Sequence, residues 1–128
     1  NMRSGINVEG TVIRAAAARI AAMAVWTPLM ESPLLNEVVG GRSLIKAEPL
    51  QRTGSFKFRE TFNKIAQFLD NNRKNGVIAF SSGNHAQGVV AAARLHDIPA
   101  VIVMPEDAPP LKVANTRGYG TEVVLYDR

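Results

Sequence analysis

The sequence predicts an α/β fold, one open and mostly parallel sheet with helices covering it. Three short apolar runs carry this expectation: Val77-Ile78-Ala79-Phe80, Ala100-Val101-Ile102-Val103-Met104 and Glu122-Val123-Val124-Leu125-Tyr126, each reading as a buried strand. Stretches with helical spacing separate them, and that alternation builds parallel βαβ units. The loop Ser81-Ser82-Gly83-Asn84-His85 follows the first run, at the carboxyl end of a strand, where open parallel sheets bind their ligands.

From the amino terminus, Asn1 reads as an added residue ahead of a natural start at Met2. Val12 to Val25 is alanine-rich, with Ile13, Ala17, Ile20 and Ala24 at helical spacing and Arg14 and Arg19 on the exposed side. The helix is expected to stop before Thr27-Pro28, because proline disfavours helical angles in the residue before it. The stretch through Pro28, Pro33 and the Gly40-Gly41 turn reads as irregular, followed by a strand over Ser43 to Glu48 that Pro49 closes. Beyond Lys57, the positions Phe58, Phe62, Ile65, Ala66 and Leu69 share one helical face, and Asp70-Asn71-Asn72 with Gly76 end that helix. A helix from Ala86 to about Leu95 follows the serine-rich loop. Pro105 to Pro110 is a loop, and Lys112 to Tyr119 a short helix before the last strand.

At 128 residues the chain is long enough for one domain with a real core and too short for two of ordinary size. A hydrophobic content of 46% with 20% charged residues is that of a soluble globular protein. The net charge of +4 is spread along the chain, so it points only weakly to nucleic acid and at least as well to small anionic ligands. With no cysteine there is no disulfide framework and no cysteine-based zinc site, which fits a reducing, cytoplasmic setting. The apolar stretch Ile20 to Trp26 is too short and too deep in the chain for a signal peptide or a membrane span.

Two stretches carry chemistry. In Thr53-Gly54-Ser55-Phe56-Lys57-Phe58-Arg59, a glycine turn delivers a lysine between two aromatic rings at a helix start. Apolar surroundings favour a neutral amine, and a neutral amine is a nucleophile toward carbonyl compounds. From this heptad alone, a lysine that simply solvates the surface remains the commoner case. Ser81 to His85 lies between a strand and the first turn of a helix, where free N–H groups and the helix dipole favour a carboxylate or phosphate. Ser and Asn are also common helix caps, so the loop can be read as a cap. Gly83 and Gly88 have the outer spacing of a P-loop without its Lys-Ser/Thr, and no Gly-x-Gly-x-x-Gly occurs, which disfavours a nucleotide-binding module.

The run Lys46-Ala47-Glu48-Pro49-Leu50-Gln51-Arg52-Thr53-Gly54-Ser55-Phe56-Lys57-Phe58-Arg59, then Ser81-Ser82-Gly83-Asn84-His85-Ala86-Gln87-Gly88, then Val103-Met104-Pro105 with Pro109 to Lys112, resembles the amino-terminal part of the threonine dehydratase and serine racemase family. These are fold-type-II pyridoxal-phosphate enzymes related to tryptophan synthase β, and the resemblance runs from about Thr27 to Arg128. It implies a three-layer αβα sheet, with residues 1–50 belonging to the larger domain and 51–128 forming most of the smaller one. It implies pyridoxal 5'-phosphate as cofactor, with Lys57 forming the internal aldimine and moving the Cα proton. Phe56 packs against the cofactor ring, and Asn84 hydrogen-bonds its 3-hydroxyl. Ser81, Ser82, Gly83, Asn84 and His85 hold the substrate carboxylate, and Ser82 resembles the opposite-face acid/base of the racemase branch.

The implied reaction is β-elimination of water from threonine or serine to give a 2-oxo acid and ammonia, with serine racemase and hydroxy-aspartate dehydratase as close variants. A non-catalytic anion- or subunit-binding domain is the alternative. The implied partners are a small amino acid and further copies of the chain, with no nucleic acid, membrane or metal. Two local departures stand out: Glu60-Thr61 where the family usually has Gly-Ala, and His96-Asp97 where Leu-Gly is common, His96 being read as a helix-dipole partner. Family members are also much longer, and the part beyond this sequence carries the glycine-rich loop for the cofactor phosphate. A chain of this length is therefore expected to expose interdomain apolar surface.

Overall fold

The computed structural model describes residues 9–68 and 74–128. Leu69 and Asp70-Asn71-Asn72, expected at a helix end, lie outside the described residues, as do Asn1 and Met2.

The carboxyl-terminal half follows the expected alternation. Strands β3 (Val77–Phe80), β4 (Ala100–Pro105) and β5 (Glu122–Tyr126) form one parallel sheet in the order β3-β4-β5, in a register that pairs Ile78 with Val101 and Ile102 with Val123. Crossovers α4 (Asn84–Leu95) and α5 (Pro110–Arg117) connect them. The core gathers on one face, where Ile102 and Met104 are fully buried against Ala86, Val90 and Ala93 of α4. Every residue of α4 from Ala86 to Ala93 is buried, because the sheet lies on one side of the helix and α3 (Lys57–Ile65) on the other. The opposite sheet face stays open among the described residues, with Ile78 74% and Phe80 67% exposed.

Two backbone positions fix how these units turn. Gly76 enters β3 at φ +75, and a Cβ there would stand 2.7 Å from the Pro99 carbonyl oxygen, which accepts from Val77 N. Beyond α4, Asp97 takes φ 54 while Ile98 N bonds back to Ala93 O at 2.9 Å. This is the left-handed helix stop that glycine usually provides and that Asp tolerates. His96 caps α4 and lays its ring against Phe62, with centroids 4.7 Å apart.

The amino-terminal third differs from expectation. Helix α1 (Gly10–Ile20) stops well short of Val25. Side chains from elsewhere occupy the backbone groups that a longer helix needs: Gln51 accepts from Val25 N and donates to Val25 O, both at 2.9 Å, and Arg52 Nε donates to Met23 O at 2.6 Å. The stretch read as irregular instead holds β1 (Leu29–Glu31) and α2 (Pro33–Val39), and β1 pairs antiparallel with β2 (Leu44–Lys46). Ser32 Oγ accepts from Leu35 N at the start of α2, Pro33 sits in its first turn, and Gly40 ends it at φ 67. Proline is welcome at a helix's first position, where its missing N–H costs nothing, so Pro33 starts a helix in the stretch read as irregular. Glu48, placed by the sequence in the strand, begins a 3-10 turn over Glu48–Leu50.

Candidate active site

Lys57 opens α3 directly after a left-handed corner in which Thr53 (φ 63) and Gly54 (φ 69) turn the chain. Below it, Arg59 grips Glu48 bidentately, Nε to Oε2 and Nη2 to Oε1, both at 2.8 Å, and Thr27 Oγ1 donates to the same carboxylate at 2.6 Å. The Arg59 guanidinium holds the Glu48 carboxyl down to about 2 against its desolvation, with Thr27 and Lys46 adding to the effect. This pair ties the first turn of α3 to the amino-terminal segment.

Lys57 is not enclosed by two rings, as the sequence suggested. Positions 56 and 58 are about 200° apart around a helix, so they face opposite sides. Phe58 is fully buried in the core, while Phe56 is 57% exposed with its ring 5.5 Å from Lys57 Nζ. Instead of an apolar sleeve, Nζ meets Glu60 Oε2 at 2.6 Å, and the lysine side chain remains 30% exposed. The other oxygen of Glu60 stands 3.9 Å from His85 Nδ1, a buried nitrogen with no hydrogen-bond partner. One carboxylate therefore spans the lysine and the far end of the serine-rich loop.

Loop and lysine are held together by Gly88. A Cβ on this α4 residue would lie 3.1 Å from the Lys57 carbonyl carbon and oxygen and 3.0 Å from Thr61 Oγ1. Only glycine lets α4 approach the backbone of the lysine's own turn this closely. Thr61 Oγ1 in turn donates to Lys57 O at 2.9 Å.

The loop does not cap its helix. Gly83 occupies the cap position, no side chain bonds the first N–H groups of α4, and Asn84 is already helical. Ser81 Oγ accepts from Gly83 N at 3.2 Å. Ser82 opens onto a recess at the strand ends, walled by Phe80, Pro105, Tyr126 and Arg128. Asn84 Oδ1 accepts from Lys112 Nζ of α5 at 3.3 Å, a contact the sequence reading missed because it joins residues far apart in the chain. Glu60 was locally legible, since residues three apart on a helix face each other. A primary amine, an uncapped helix start and neighbouring hydroxyl, amide and imidazole groups together suit an anionic, carbonyl-bearing ligand. Among the described residues no cluster of His, Asp and Glu could hold a metal ion, and no helix is long and apolar enough to cross a membrane.

Comparison with known proteins gives this arrangement a context. Residues 20–128 match the model of the family described as pyridoxal-phosphate dependent enzyme. An L-threo-3-hydroxyaspartate ammonia-lyase of Pseudomonas sp is 57% identical over 113 residues, 88% of this chain and 35% of that protein. An L-threonine ammonia-lyase of Thermotoga maritima is 52% identical over 99 residues, 77% of this chain and 25% of that protein. The solved structure of maize serine racemase superposes with a TM-score of 0.84 at 42% identity, covering 91% of this chain and 35% of that one. The chain thus spans about a third of the length of such relatives, and its fold is that of part of a fold-type-II enzyme. A lysine-bearing helix locked by Gly88 to an uncapped loop is what the matched region contains, and the chain belongs to the family of pyridoxal-phosphate dependent enzymes.

Proposed function

We propose that this chain carries the lysine and the substrate-carboxylate loop of an ammonia-lyase acting on a β-hydroxy-α-amino acid, with threonine or serine as substrate and hydroxy-aspartate dehydratase or serine racemase as close variants. The observation that carries the reading is the junction of Lys57, Glu60 and His85 at the start of α4. The three relatives named above support the substrate class, since hydroxyaspartate, threonine and serine all bear a hydroxyl on Cβ. The residues fit the cofactor: Lys57 offers a partly exposed amine, His85 Nδ1 an unsatisfied ring nitrogen, and α4 unpaired N–H groups.

When bound, pyridoxal phosphate supplies an aldehyde carbon for the lysine and an electron sink for charge developing at the substrate Cα. The remaining work belongs to the chain. Lys57 Nζ would hold the cofactor and, when not holding it, would accept the Cα proton. Ser81, Ser82, Asn84 and His85, with the amide of Gly83, hold the substrate carboxylate at the positive end of α4. Asn84 would hydrogen-bond the cofactor's 3-oxygen, Phe56 would pack against its ring, and Ser82 would serve the opposite face. The proton taken from Cα and the Cβ hydroxyl would leave together as water, and hydrolysis of the resulting enamine would give the 2-oxo acid and ammonia. In this reading residues 1–50 belong to the larger domain of the enzyme and 51–128 to the smaller.

Borohydride reduction after addition of pyridoxal phosphate, with mass-spectrometric mapping of the modified lysine, tests this. Selective labelling of Lys57, absent in K57A and blocked by a bound hydroxy amino acid, is expected. Scattered or absent labelling of this chain, repeated in a longer chain that includes the phosphate-binding loop, would overturn the reading in favour of a non-catalytic anion- or subunit-binding domain.

A further inference from the structure

Lys112 reaches the loop from a different βα unit. It lies in the first turn of α5, its N–H bonded to Pro109 O at 2.8 Å, and Thr116 Oγ1 closes the turn on its carbonyl at 2.8 Å. Its half-buried side chain extends to the start of α4, where Nζ meets Asn84 Oδ1 at 3.3 Å. Nζ also passes beside Gly83, where a Cβ would stand in ordinary contact with it at 3.5 Å. The nearest acids in sequence, Glu106 and Asp107, are not paired with it, and Asp107 meets Arg128 at 3.3 Å. The ammonium's one polar side-chain contact among the described residues is thus the Asn84 amide.

An ammonium carries three donors and no acceptor, so an amide facing it must present its oxygen. The Nδ2 end of Asn84 is then the end left for a ligand, and it can only donate. We propose that Lys112 is a positioning residue that orients the Asn84 amide, so that the site accepts the cofactor's 3-oxygen as an anionic phenolate and discriminates against the neutral phenol, an inference that rests on the cofactor site proposed above. The same positive charge, one residue removed from the ligand, favours that anion further. Without Lys112 the amide can turn, and its oxygen can then accept from the neutral phenol.

Two measurements on the full chain test this, with K112M as the disrupting variant and K112R as the conservative one. In the protein without cofactor, the Asn84 side-chain amide resonances of a nitrogen-15-labelled sample are expected to shift in K112M and to return toward their original positions in K112R. Unshifted Asn84 resonances overturn the contact. With pyridoxal phosphate added, the ratio of the long-wavelength phenolate band to the short-wavelength neutral band is expected to fall roughly tenfold in K112M, about the size of one hydrogen bond to a charged group, and to recover in K112R. An unchanged ratio with Lys57 still labelled overturns the orienting role. Failure to label Lys57 both in the unsubstituted protein and in a longer chain that includes the phosphate-binding loop overturns the cofactor site itself, and is told apart because the amide resonances still report whether Lys112 holds Asn84.

Discussion

Gly88 lies where α4 crosses the first turn of α3, and G88A adds a methyl group at the tightest point of that crossing. Its Cβ would meet the Lys57 carbonyl carbon and oxygen at 3.1 Å and Thr61 Oγ1 at 3.0 Å. The threonine hydroxyl can rotate away, giving up its bonds to Lys57 O and Phe58 O, but a backbone carbonyl inside a helix cannot. Overpacking of this kind costs about 1–3 kcal/mol, and the better helix propensity of alanine returns about 1 kcal/mol. The expected net loss is up to about 2 kcal/mol in urea denaturation of the full chain. G10A is the control, because a Cβ there meets only the flexible guanidinium of Arg14 at 3.4 Å, and it should stay within about 0.5 kcal/mol of the parent. Since G88A must push the lysine's turn away from the loop, borohydride labelling of Lys57 should fall as well. A G88A protein as stable as the parent, with undiminished labelling, would refute the argument that this close approach sets the distance between lysine and loop.

Other consequences can be measured with the same protein. The Glu48 carboxyl is depressed in the folded state to about 2, so its contribution is complete above its ordinary value of 4.5 and drains away as pH falls toward 2; a loss of about 1–3 kcal/mol over that window, abolished in E48Q, is expected from denaturation at stepped pH. E60Q removes the carboxylate from Lys57 without disturbing the core; an exposed pair three residues apart contributes under about 1 kcal/mol, so stability should hardly change while Lys57 labels up to about fivefold faster. In Q51A, Val25 loses the partner of its N–H and one of two donors to its carbonyl, Arg59 Nη2 remaining at 3.2 Å, and a drop of about 1–2 kcal/mol with new protease cleavage between 20 and 27 is expected; an uncut chain would mean the clamp is dispensable. G76A combines a left-handed backbone with a 2.7 Å contact to Pro99 O, and thermal unfolding should show it to be the least stable of these variants.

The three strands and the helix between the first two were legible because their signals are local. A continuous apolar run such as Ala100 to Met104 has no stable place except a buried strand, and Ser81 to His85 declares a loop at that strand's end whatever else the molecule does. The family was legible for the same reason, since its motifs are contiguous. Helix α2 escaped notice because Ser32-Pro33 carries a start signal that resembles a break, and α1 was overextended because nothing within Ala21 to Val25 reveals that Gln51 and Arg52 claim its backbone.

By itself, then, the sequence determined the βαβ order, the lysine at a helix start and the anion-suited loop, all of which depend on residues a few positions apart. Tertiary structure alone decided what surrounds them. Helical geometry and core packing sent Phe58 inward and left Lys57 to Glu60, Gly88 set the spacing of two helices through a missing methyl group, and Lys112 crossed from another βα unit to hold Asn84. These are contacts between atoms distant along the chain, and no local pattern encodes them, because they exist only once the hydrophobic core has fixed α3, α4 and α5 against the sheet.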